Sequence, residues 1–169
     1  MGNRERLNIN KPNLMTAQTK AELEEALKQA KKDLGEAQLA IGEAAGRESD
    51  WHDNAAFDYA NMDFDLKLTT VAILAGKLQE VEIITPRNQT EKVDVGNTVV
   101  VRFEGEEEDE RFTILGADDS GRKPGWLSSN SPLGKSLLGK REWDIAEYAL
   151  EADKKQKVRV VKILPGDFD

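Results

Sequence analysis

Cysteine is absent from this chain, and histidine occurs once, as His52. No cysteine means no disulfide and no thiolate metal centre. One imidazole excludes a multi-histidine metal site. It also leaves Ser128, Ser129 and Ser131 without the histidine network of a serine hydrolase. No run of eighteen apolar residues is present, so no membrane-spanning helix is expected. Residues 1 to 15 lack the apolar core of a secretory leader, which points to a cytoplasmic protein. Positive charge is also in deficit: the 169 residues carry a formal net charge of -8. Affinity for free DNA or RNA rests on neutralising phosphates, so an acidic chain is a poor nucleic-acid gripper by itself. A partner protein with basic surfaces fits better, and nucleic acid would be met inside such a complex. Gly134-Lys135-Ser136 lacks the upstream glycine of a phosphate-binding loop.

What the chain does have is periodicity. Leu23, Leu27, Ala30, Leu34, Ala37, Ile41 and Ala44 recur at a four-three spacing, and so do Phe57, Ala60, Phe64, Leu68, Val71, Leu74, Leu78 and Val81. Two such stripes separated by a short polar stretch predict an antiparallel helical hairpin, a two-stranded coiled coil. The first helix is expected from about Thr16–Thr19 to Ala45, with Thr19 and Glu22 as a capping box. The second is expected from Asp53 or Asn54 to about Val81. Residues 1–15, with Pro12 and no periodicity, read as a mobile tail.

After Pro86 the period changes to two. Residues 98–103, 111–115, 126–128, 145–148 and 158–163 are β-rich, and Leu133–Leu138 after Pro132 fits one short helix. The fold class is therefore α+β. Its expected divisions are a tail at 1–15, a coiled-coil hairpin at 16–84, a linker at 85–91 and a small, mainly antiparallel β domain at 92–169.

Chemistry concentrates between the helices, in Asp50-Trp51-His52-Asp53-Asn54. Two carboxylates three residues apart at a helix start can share one face. Such a pair suits Mg²⁺, a hard ion that takes oxygen ligands and keeps its waters, provided a partner supplies the remaining ligands. On spacing alone the stronger reading of the pair is that it caps free N–H groups and complements the helix dipole.

Two segments carry a family resemblance. Asp50-Trp51-His52-Asp53-Asn54-Ala55-Ala56-Phe57 resembles the tip motif of the bacterial GreA/GreB transcript cleavage factors. Ser131-Pro132-Leu133-Gly134-Lys135-Ser136-Leu137-Leu138-Gly139-Lys140 is similar to a second segment of that family. The resemblance covers about residues 15–164 and implies a coiled coil followed by an FKBP-like domain. It further implies an accessory factor, not an enzyme in its own right, working as a monomer. The β domain would dock on RNA polymerase through Ser131, Pro132, Leu133, Gly134 and Lys135. The coiled coil would enter the secondary channel, where Asp50 and Asp53 would help hold a Mg²⁺ shared with the polymerase at the nascent RNA 3′ end. Arg47, Asn54 and Phe57 would support that tip. Backtracked RNA would then be cleaved and synthesis restarted. Asp53 stands where the family usually has Glu, Phe57 where Tyr is common, and Trp143 where a glycine commonly precedes the aspartate. These departures also fit a relative that occupies the channel and modulates polymerase without promoting cleavage.

Overall fold

The computed structural model describes residues 12–47, 55–151 and 154–168. They form two compact units: Lys20–Glu80, and the segment up to Thr19 together with Val81 onward.

The first unit is helical. Helix α1 spans Ala17–Arg47 and helix α2 spans Ala55–Lys77. Every apolar position expected on the α1 stripe is buried or half-buried, with Leu23, Ala30 and Ala37 the deepest. The α2 stripe departs from expectation at Phe57, which is exposed in the first turn, and again further along the helix. Leu68 is exposed, and half-buried Lys67 takes the seam position, which gives an unbroken run of Ala60, Phe64, Lys67, Val71 and Leu74. In sequence a four-residue step from Phe64 to Leu68 fits the spacing as well as a three-residue step to Lys67. The α-helical rotation of 100° per residue puts 67 closer to the stripe than 68. No residue of α2 is fully buried, as expected where one thin helix packs on another.

Helix α1 begins earlier than its expected cap. Thr16 is the capping residue: its Oγ1 accepts from the Thr19 amide at 3.2 Å, and its hydroxyl lies 3.1 Å from that of Thr19. Helix α2 ends before Val81. After Lys77 the chain passes through a turn to Glu80, whose φ of 48° lies in the left-handed region and redirects the backbone.

The second unit holds two sheets. Strand β1, Asn13–Thr16, pairs in parallel with β2, Val81–Ile84. Residues 13–15 are thus strand, not tail, and Met15 is completely buried. Likewise Val81–Ile84 belongs to a sheet, not to the end of a helix. Neither strand announced itself. Each is four residues long, and its hydrogen-bonding partner lies on the far side of both helices in sequence.

The larger sheet contains β3 (Thr98–Phe103), β4 (Glu110–Leu115), β5 (Trp126–Ser128), β6 (Ile145–Glu151) and β7 (Lys154–Leu164). Their order is β5-β4-β3-β7-β6, antiparallel throughout except for β4 with β5. Alternate residues of β3 and β7, Val99, Val101, Val158 and Val160, point into one core. Helix α3, Pro132–Leu137, closes it with Leu137. A second cluster of Ile84, Leu115 and Trp126 joins β2 to the sheet, with Phe168 edge-on to Trp126 at 6.5 Å.

Candidate functional site

The acidic stretch Asp50-Trp51-His52-Asp53-Asn54 lies outside the described residues, between the end of α1 and the start of α2. The helices that flank it are described. Lys67 of α2 lies close enough to Asp33 and Glu36 of α1 for their charges to act on it. All three stand roughly three to four turns from the helix ends that face residues 48–54. Helices so matched run antiparallel, with the acidic stretch at the connected end. The Lys67 ammonium is held above the usual lysine range, first by its 2.7 Å hydrogen bond to Asp63 and then by the charges of Asp63, Asp33 and Glu36, against a desolvation cost. A cation at this seam position thus sits among carboxylates.

Arg47 is the last residue of α1. Phe57 lies in the first turn of α2, partly exposed, and its carbonyl accepts from Asn61 Nδ2 at 2.8 Å.

In the sheet unit, the five residues Ser131–Lys135 divide by role. Ser131 is the N-cap of α3, with φ -66° and ψ 157°. Its Oγ accepts from the Gly134 amide at 3.0 Å and donates to the Ser128 carbonyl at 2.7 Å. Pro132 at the first helical position has no N–H to leave unsatisfied. Gly134 is buried, and a Cβ there would stand 2.1 Å from the Ser128 carbonyl oxygen. Leu133 is half-buried and packs on the main core. Pro132 and Lys135 alone among the five are exposed. The segment is therefore a rigid cap that presents one imino ring and one ammonium to solvent.

Two buried polar residues without a sequence signal hold the surrounding backbone. Asn97 Nδ2 donates to the carbonyls of Gln89 at 2.9 Å and Arg87 at 3.2 Å, and its Oδ1 accepts from the Asp94 amide at 3.0 Å. Asp119, fully buried, accepts from the Thr16 hydroxyl at 2.8 Å, the Thr16 amide at 3.1 Å and the Gly116 amide at 3.2 Å. It completes the cap of α1.

A family model described as "Transcription elongation factor, GreA/GreB, C-term" matches residues 87–165. The transcription elongation factor GreA of Sulfurovum sp. (strain NBC37-1) is 31% identical over 144 residues, which cover 83% of this chain and 88% of that protein. The chain belongs to the GreA/GreB family. The GreA of Roseiflexus castenholzii (strain DSM 13941 / HLO8) is also 31% identical, over 74% of this chain and 78% of its own length. Among solved structures, Gfh1 of Thermus thermophilus shares 21% identity at a TM-score of 0.42, over 90% of this chain and 99% of its own. A GreA/GreB factor from Nitrosomonas europaea shares 20% at 0.39, over 91% and 99%.

Within this GreA/GreB chain, Trp143 holds a backbone position suited to glycine. The Asp144 amide bonds to the Arg141 carbonyl at 3.1 Å, closing a turn whose third residue is Trp143. Its φ of 73° is the left-handed value that such turns normally give to glycine. Asp144 Oδ2 steadies the turn by accepting from the Arg141 amide at 2.8 Å.

Proposed function

We propose that this transcription elongation factor binds RNA polymerase in its secondary channel and stimulates Mg²⁺-dependent cleavage of backtracked RNA, rescuing arrested complexes. The observation that carries this reading is the antiparallel pair of α1 and α2, whose connected ends flank a sequence with Asp50 and Asp53. A two-helix arm is narrow enough to enter a channel, and its length brings carboxylates to a remote active site. Asp50 is assigned as a Mg²⁺ ligand, and Asp53 as a second ligand or the group that orients water. Arg47, Asn54 and Phe57 support them. When bound, Mg²⁺ supplies Lewis acidity for water activation and for developing negative charge. Two carboxylates make an incomplete site for an ion that prefers six oxygens, so the polymerase contributes the rest and the factor is an accessory to its active site. Pro132 and Lys135 are the residues of the α3 cap best placed to touch the polymerase.

A stalled, backtracked elongation complex with labelled RNA and Mg²⁺ tests this directly. The wild-type chain should shorten the RNA and allow extension to resume. Asp50→Ala with Asp53→Ala should abolish shortening, a loss of at least about 100-fold for an electrostatic catalytic group, while binding to polymerase persists. Equal cleavage by the double variant would overturn the assignment. Binding by wild type with slowed synthesis and no shortening would instead identify a channel-occupying regulator.

A further inference from the structure

The arm carries a second apolar stripe that its own seam does not use. Tyr59, Met62, Leu66 and Ile73 of α2 are 72%, 63%, 67% and 56% exposed. At 100° per residue they fall within an arc of roughly 60°, about 130° round the helix from the Ala60–Phe64–Val71 seam. Positions 59, 66 and 73 repeat every seven residues, with 62 between them, which is coiled-coil spacing. This second face explains why α2 is apolar on average yet buries no residue fully. Scattered exposed apolar residues are ordinary, but a contiguous heptad stripe on one helix marks an interface.

We propose that this face is a self-association surface, on which α2 packs antiparallel against α2 of a second copy of the chain. Leu66 would lie at the two-fold axis, and Tyr59 of each copy would face Ile73 of the other. Charge favours this occupant and this direction. Asp58 is the acid of the first turn of α2 and Lys77 the base of its last. Antiparallel pairing brings each within about a turn of its opposite in the second copy, whereas parallel pairing sets like against like. Antiparallel alignment also opposes the two helix dipoles. Four large side chains at these exposures offer on the order of 500 Å² per copy, or about 1,000 Å² for the pair, at the lower edge of specific interfaces. The assembly is accordingly weak, with a dissociation constant on the order of 10–100 µM. It departs from the monomer expected from sequence. It also does not depend on cleavage activity.

The absence of native cysteine makes the test clean. Sedimentation of the full chain should move from one to two copies as concentration rises through ~10–100 µM. Leu66→Lys and Ile73→Lys should each weaken pairing at least about 10-fold while the helical circular dichroism is retained. Leu66→Cys should cross-link to a second copy through a short bis-thiol reagent, and Leu68→Cys, exposed on another face, should not. The cysteine pair keeps the result decisive if a lysine variant unfolds. A chain that stays monomeric at ~100 µM with Leu66→Cys unlinked overturns the proposal, as does equal linking of both cysteines. So does a monomeric wild type that loses polymerase binding on Ile73→Lys, because the stripe would then belong to the polymerase.

Discussion

Asn97 and Asp119 hold backbone of the sheet unit from buried positions, and neither is legible in sequence. An Asn or Asp in a loop looks the same whether it is solvated or serves as a buried hub, because its hydrogen-bond partners can come from segments far away in the chain. Asp119, for instance, serves an amide and a hydroxyl at Thr16. Trp143 is different, since its oddity could be read from the family pattern even though its strain could not. A left-handed φ costs a non-glycine residue about 1 kcal/mol or more, and an indole that is 68% exposed recovers little of that by packing. Trp143→Gly is expected to raise stability by roughly 0.5 kcal/mol after the added chain entropy of glycine is subtracted. Trp143→Ala keeps the Cβ and should gain nothing. Urea melts of the two variants compare them directly.

The elements that sequence displayed were those with their own periodicity. The α1 stripe ran true because seven apolar positions over-determine a face. The α2 stripe was blurred by a second apolar face, so Leu68 was drawn into a seam that Lys67 occupies. Strands β3 to β7 were found from β-rich runs bounded by glycine and acidic loops, while β1 and β2 were too short to show alternation. Helix α3 was legible through Pro132, but the need for Gly134 was not. Gly134→Ala gains about 1 kcal/mol of helix propensity. It also drives a methyl to 2.1 Å from a buried carbonyl oxygen, and overpacking of this kind costs about 1–3 kcal/mol or more. A 2.1 Å approach to backbone puts the cost at or above the top of that range, so overpacking outweighs propensity and a net loss of about 2 kcal/mol is expected in a denaturant titration. Ser131→Ala, which removes the cap and the bond to the Ser128 carbonyl, should cost about 1–2 kcal/mol.

Across the whole molecule, the α+β class was evident from the change of period near Pro86. The make-up of the second unit was not, because it recruits residues from before the arm as well as after it. Asn13 pairs with Val81 and Thr16 with Ile84 in one parallel ladder. The arm is therefore an excursion that leaves the sheet unit and returns beside its own point of departure. A folded arm delivers β1 to β2 at little entropic cost. A melted arm leaves a flexible loop of more than sixty residues, whose closure costs about 3–4 kcal/mol. That exceeds the roughly 2–3 kcal/mol gained by burying Met15. The β1–β2 ladder should therefore behave as a latch that a formed arm holds shut and a melted arm loosens. Ala37→Asp, placed in the arm's seam, should speed amide exchange at Met15 as well as along α1, with the β3–β7 ladder left protected. During synthesis the same latch must stay open until Val81–Ile84 emerges, so Asn13–Thr16 waits for more than sixty further residues before its partner strand exists.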